Sequence, residues 1–270
     1  MTSFYMFNFL LAYPDIDPVL IEIGPLVLRW YSLSYIGGLL LGWWYLNWMN
    51  KTAKILSKEQ YDSILTWVIL GVVLGGRFGY VLFYKPEYYI ENLHEIFYVW
   101  QGGMSFHGGM LGVVLAIFWF SKLHKVEFFK VIDLAAIAAP IGLFLGRVAN
   151  FINGELYGRV TEHWVGMVFP TDPQQLSRHP SQLYEAALEG LLLGLILFIA
   201  FKMEVWKKPM RLSAIFLIGY GVFRSIAEIF REPDAHLGFI IEGLTMGQLL
   251  SLPMILLGIY LLCRSSATKA

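Results

Sequence analysis

The chain has 270 residues, of which 57% are hydrophobic, 16% aromatic and only 15% charged, against about 25% charged in an ordinary soluble domain. With a mean hydropathy of +0.59, that composition excludes a disordered segment and a nucleic-acid-binding module, and it describes a membrane protein. Twenty Lys+Arg balance twenty Asp+Glu, so no overall field draws a polyanion and any electrostatic role depends on where the charges sit.

Read from the start, the first 24 residues contain neither Lys nor Arg. A cleavable signal peptide would need a basic beginning, so insertion is expected to rest on the helices of the chain itself. A membrane-spanning helix takes about 20 mostly apolar residues. Seven stretches provide them: 25–48, 61–84, 103–121, 129–150, 181–201, 212–230 and 243–263. Two long connectors, 85–102 and 151–180, separate them; the second carries Gly154, Gly158, Gly166, Pro170, Pro173 and Pro180 and reads as a structured arm, as does the first. The expectation is one all-α, polytopic membrane domain spanning 1–270. Cys263, the lone cysteine, has no partner for an internal disulfide and is expected to be apolar-packed and dispensable.

Orientation follows from the basic residues in the loops. One side carries Lys51, Lys54, Lys58, Lys122, Lys125, Lys130, Lys202, Lys207, Lys208, Arg211, Arg264 and Lys269, and the other Lys85, Arg159, Arg178 and Arg231. The richer side is expected in the cytoplasm, with the N-terminus outside and the C-terminus inside.

The remaining basic residues, Arg29, Arg77, Arg147 and Arg224, fall inside or at the ends of spans. Each is costly there unless it meets a partner or a watery cavity. On the predicted orientation all four occupy the outer half of the bilayer. His107, Glu185, Glu189 and Glu228 gather at the same level, and Tyr220, Arg224 and Glu228 recur at i, i+4, i+8, which lets Arg224 and Glu228 pair. Guanidinium forks bind phosphate oxygens bidentately, so arginines at headgroup depth suggest a site for an anionic lipid. Asp133, near the inner end of the fourth span, is assigned no chemistry, and His94, His124, His163 and His236 read as solvated loop residues. The segments 74–80 (LGGRFGY) and 144–150 (FLGRVAN) echo one another at the small-Arg step. No HExxH zinc site, phosphate-loop motif or GxSxG elbow is present. Ser105 and His107 are two apart, on different helix faces, which argues against a Ser–His dyad. A polytopic lipid transporter or flippase would also carry intramembrane polar groups, but at the midplane and on both sides; concentration at one level favours an interfacial enzyme.

Three blocks then carry a resemblance: 102–109 (GGMSFHGG), 146–158 (GRVANFINGELYG) and 178–185 (RHPSQLYE), supported by 28–31 (LRWY), 75–84 (GGRFGYVLFY), 219–228 (GYGVFRSIAE) and 230–234 (FREPD). Together they resemble the bacterial prolipoprotein diacylglyceryl transferase family over nearly the whole chain, with Ala149 standing where the family commonly has glycine and the 151–180 arm short against some relatives.

The resemblance implies a seven-helix enzyme of the bacterial inner membrane with two arms on its outer side. Such an enzyme moves the diacylglyceryl group of phosphatidylglycerol to the lipobox cysteine of a prolipoprotein signal peptide and releases glycerol phosphate. Its implied functional positions are Tyr31, His107, Arg147, Asn150, Glu155, Gly158, Glu185, Tyr220, Arg224 and Glu228. Arg147 and Arg224 would stabilise the departing phosphate, with Asn150 adding a neutral donor. His107 is the candidate to deprotonate the thiol, Glu155 and Glu228 would orient the arginines, and Arg77 would join the residues that bind lipid. No metal or organic cofactor is called for.

Overall fold

In the computed structural model, which describes residues 11–14, 16–24, 26–233 and 243–267, the first apolar stretch does not begin as a helix. Strands β1 (Val19–Ile23) and β2 (Leu26–Arg29) pair antiparallel, with Ile23 opposite Leu26. Gly24 opens the two-residue connection at φ +58°, the left-handed conformation that tight hairpin loops demand and glycine adopts freely. Helix α1 follows as Trp30–Ala53. The expected span 25–48 is therefore corrected at both ends. Arg29 is corrected with it: exposed, it closes a strand opposite Val19 and lies in no helix. Aliphatic runs on either side of a Gly-Pro pair are a hairpin signal that average hydropathy does not separate from a helix start. His236 and Lys269 lie outside the described residues.

The other six stretches are helical over most of their length. Helix α2 (Lys58–Phe83) begins earlier than expected because Ser57 and Gln60 form a capping box: the Ser57 hydroxyl accepts from Gln60 N at 3.3 Å and the Gln60 side chain accepts from Ser57 N at 2.9 Å, satisfying two amide donors that a helix start leaves open. Helix α4 (Phe106–His124) starts late because Gly102 and Gly103 hold φ of +82° and +76°, and Ser105 caps it. Helix α5 is Phe128–Ile152. Helix α6 (Ser181–Glu185), a π-helical stretch Ala186–Leu192 and α7 (Leu193–Lys202) form one continuous rod. Helices α8 (Arg211–Ala227) and α9 (Met246–Ala267) complete the set. Cys263 is exposed on α9, a correction to its expected packing.

Five of these segments, Lys58–Phe83, Phe106–His124, Phe128–Ile152, Ser181–Lys202 and Met246–Ser266, are long and apolar enough to cross a membrane. They turn large apolar side chains outward, as α1 does: Trp44, Leu82, Leu123 and Leu191 are each at least 60% exposed. The first connector folds into a short helix, α3 (Pro86–Glu91), and two 3-10 turns. The second holds a two-stranded sheet, β3 (Met167–Val168) against β4 (Ser177–Arg178), over a small core of Phe151, Met167 and Phe169 with Tyr13, Tyr157 and Leu183 packed on it.

The chain divides into two compact units, Met1–Tyr45 with Ala136–Ala270, and Leu46–Ala135. In the second, α2 and α4 meet along glycines: a Cβ on Gly112 would stand 2.0 Å from the carbonyl oxygen of Gly71, and one on Gly75 2.4 Å from that of Gly108. In the first, α5 approaches the π-helical stretch at Gly190, where a Cβ would lie 2.6 Å from Phe144 Cβ, and Leu193 fills the space over Gly219 of α8. Small residues at such seams let backbones close to dispersion distance, the attraction that remains when lipid and side chains are equally apolar.

Candidate active site

In the second unit the glycine seam fixes where His107 leaves the backbone. Ser105 N donates to Gly76 O at 2.8 Å and the Ser105 hydroxyl accepts from Gly108 N at 3.2 Å, which occupies that serine in starting the helix. The His107 ring is exposed and stands edge-on to Phe106 at 5.7 Å. Arg77 is different from what was expected of it. It is buried, and all three guanidinium nitrogens donate to carbonyls of the first arm: Nε to Ile96 at 2.8 Å, Nη1 to Gly102 at 2.6 Å and Nη2 to Glu95 at 2.5 Å. Tyr89 covers its face at 5.1 Å. The expectation assigns Arg77 to lipid binding; in the structure its donors anchor the arm to α2.

In the first unit the ends of α5, the α6 rod and α8 bring six charges together. Glu185 Oε2 forms an ion pair with Arg147 Nη2 at 2.7 Å and accepts from Arg224 Nη1 at 2.5 Å. Arg224 Nη2 meets Glu228 Oε1 at 2.5 Å, the i, i+4 pair. Glu189 stands off, at 3.8 Å from Arg147 and 3.7 Å from Arg224. Arg231 closes the group at 3.9 Å from Glu185 and 4.0 Å from Glu228. Glu185 and Glu189 are fully buried, while Arg147 and Arg224 keep 17% and 12% of their side chains accessible. Breaking a buried pair leaves a charge without compensation and typically costs about 3–5 kcal/mol, so the carboxylates lock both guanidinium groups in place. Among the described residues, Nε and Nη1 of Arg147 and Nε of Arg224 have no protein acceptor. A guanidinium with N–H groups beyond those its carboxylates use can take an anion.

Beside it, the loop 150–158 is set by the start of α6. Ser181 Oγ donates to Leu156 O at 3.0 Å and Gln182 Nε2 to Glu155 O at 2.7 Å, which holds Leu156 at φ +60°, a conformation disfavoured for leucine. Glu155 Oε1 then accepts from Asn150 Nδ2 at 2.7 Å and Asn153 Nδ2 at 3.3 Å. Glu155 therefore orients Asn150, and the arginines take their orientation from Glu185. Gly158 is wedged: its N donates to His179 O at 2.8 Å and a Cβ would come within 2.3 Å of Phe230 O, so its part is close approach. Tyr31 is partly exposed with its hydroxyl 3.2 Å from that of Tyr35. Tyr220 stacks on Phe216 at 5.8 Å one turn before Arg224.

Farther along the arm, Arg178 grips Asp172 bidentately, Nε to Oδ2 at 2.6 Å and Nη2 to Oδ1 at 3.2 Å, and lies over the Tyr157 ring at 4.9 Å. The guanidinium holds the Asp172 carboxyl below the usual range. Burial lowers the pKa of His179, helped by the nearby His163. Arg159 donates from Nε to Arg231 O at 3.0 Å, serving a carbonyl just past the C-terminus of α8. Arg231 reads as a loop residue in the sequence and Glu189 carries no role there; the Glu228-to-Arg231 spacing of three, continuing the stripe from Tyr220, is the signal that joins Arg231 to the cluster.

The chain matches the family model described as prolipoprotein diacylglyceryl transferase over residues 18–264. It is 54% identical to the phosphatidylglycerol–prolipoprotein diacylglyceryl transferase of Paramagnetospirillum magneticum, with 94% of this chain and 96% of the relative covered. It is 52% identical to the protein of the same name from Azospirillum brasilense, over 96% and 98%, and 50% identical to that of Rickettsia felis, over 95% and 99%.

Proposed function

Because the chain belongs to the prolipoprotein diacylglyceryl transferase family, we infer that it is a multi-pass membrane enzyme that transfers the diacylglyceryl group of phosphatidylglycerol to the cysteine thiol of prolipoproteins. Glycerol phosphate is released. The observation that carries the site is the convergence of Arg147 and Arg224 on one buried oxygen of Glu185. The phosphate of the lipid lies against the free N–H groups of the two arginines. The thiol sulfur attacks the glycerol carbon that bears the phosphoester, an S–C bond forms, and the C–O bond breaks with its electron pair left on the phosphate oxygen. His107 takes the thiol proton, and the arginines stabilise the charge growing on the leaving group. Asn150, oriented by Glu155, adds a neutral donor; Tyr31 and Tyr220 border the lipid, Glu228 holds Arg224, and Gly158 keeps the arm close to the end of α8.

The enzyme works in the bacterial inner membrane as one transferase domain, with seven spans, both arms and the N-terminus on the outer side and the C-terminus in the cytoplasm. Helices α1 and α8, of 24 and 17 residues, supply the two spans beyond the five most apolar ones. The signal peptide presents its lipobox cysteine from the same leaflet as the lipid. Incubating the purified protein with phosphatidylglycerol and a lipobox peptide should give a peptide heavier by one diacylglyceryl group. Folded protein that yields no adduct would refute the reading.

A further inference from the structure

Of the three carboxylates in the charged cluster, Glu189 is the one held farthest from its arginines. It is fully buried, and among the described residues neither oxygen has a hydrogen-bond donor. Each oxygen faces a different arginine, Oε1 at 3.7 Å from Arg224 and Oε2 at 3.8 Å from Arg147. The π-helical stretch carries it there, a feature often found at functional sites. Gly190 against Phe144 and Leu193 over Gly219 wedge this stretch between the helix of Arg147 and the helix of Arg224. What Glu189 gives the pair is charge without a bond.

That charge decides a balance. Counted in their ionised forms, Arg147, Arg224 and Arg231 balance Glu185, Glu189 and Glu228, with Arg159 on carbonyls at the edge and the Tyr220 phenol alongside. The lipid enters as a phosphodiester with one negative charge. The product leaves as a phosphomonoester, close to doubly charged at neutral pH because a phosphomonoester loses its second proton near pH 6. A guanidinium pair that binds the first would bind the second more tightly, and turnover would stall on release. We propose that Glu189 is a positioning residue that sets the anion affinity of the Arg147–Arg224 pair, holding it low enough for the doubly charged product to depart. This rests on the reading of the two arginines as the phosphate seat.

The test is equilibrium binding of radiolabelled glycerol phosphate to the purified full chain, alongside steady-state transfer. Glu189→Gln and Glu189→Met remove the charge and keep the volume, and since no donor among the described residues bonds to either Glu189 oxygen, neither substitution strips a hydrogen bond from a partner. Both should bind glycerol phosphate about tenfold more tightly, with KM for the lipid and kcat both reduced, while Glu189→Asp keeps the wild-type pattern. A packing role would leave that affinity unmoved. Unchanged or weaker binding in the two uncharged variants overturns the proposal, and so does failure of both to accumulate as folded protein, which would assign Glu189 to the scaffold. Arg147→Ala, measured in parallel, separates the premises. If it weakens binding while the Glu189 variants do not tighten it, only the role of Glu189 falls; if it leaves binding unchanged, the phosphate seat falls as well.

Discussion

At the scale of single residues the distinction that matters is between a guanidinium spent on the protein and one with donors to spare. Arg77 has an acceptor at every nitrogen; Arg147 presents two nitrogens that have none among the described residues. Lysine keeps the charge of an arginine and loses the planar fork. Arg147→Lys and Arg224→Lys should therefore insert normally and lose much of their turnover, with Arg→Ala at either position losing about 10²–10³-fold, the worth of one preorganised oxyanion donor. Arg29→Lys, at an exposed strand end, should transfer at near-normal rates. Near-normal diacylglyceryl transfer by the two lysine variants of α5 and α8 would reject the phosphate seat. Hydropathy picked out Arg77 and Arg147 alike as charges in apolar surroundings, because in the sequence both follow a glycine and precede an apolar residue. What separates them is the arm carbonyls around Arg77, and these are brought in by Gly102 and Gly103 some 25 residues downstream.

At the scale of elements, close backbone approach and a buried ion pair each make a measurable demand. Gly112→Ala would place a methyl group against the Gly71 carbonyl, forcing α2 and α4 apart at a cost of about 1–3 kcal/mol. Gly142→Ala meets nothing within 4 Å among the described residues and should be neutral; thermal unfolding of the two variants in one detergent compares them. In the second arm, Asp172 is held below its unfolded pKa by Arg178. The pair's contribution is then complete above the unfolded value near pH 4 and is lost as pH falls from there through the lowered folded value. Proteolysis of the 151–180 arm should accelerate across that acid window, and Asp172→Asn should cleave quickly at every pH; equal cleavage of both proteins at neutral pH would refute this. The helices themselves were legible as apolar runs, and the starts of α2 and α4 are marked by Ser57-x-x-Gln60 and by Ser105, cap signals that hydropathy does not carry. The hairpin and the π-helical stretch were not: the first is hidden by β-branched residues that also suit a span, and the second depends on how three helices crowd together.

At the scale of the whole molecule, topology is the claim with the widest reach. A reporter fused after Ala270 should be active only in the cytoplasm and one placed within 151–180 only outside; the reverse pattern would move the charged cluster to the wrong leaflet for a secreted thiol. Of the charged cluster, Arg147, Glu185, Arg224 and Glu228 were legible because charge inside a span is rare enough to stand out. Arg231 was not, since in the sequence it follows the helix and only the turn after Ala227 folds it back. The outward-facing Trp44, Leu82, Leu123 and Leu191 carry a last consequence, for chemical denaturation. Urea acts in proportion to the surface that unfolding newly wets, and these side chains already face away from protein and would stay in the micelle when the helices separate. The urea dependence of unfolding in detergent should therefore be far shallower than for a water-soluble chain of equal length, and a steep, soluble-protein slope would mean that the helices leave the apolar phase altogether.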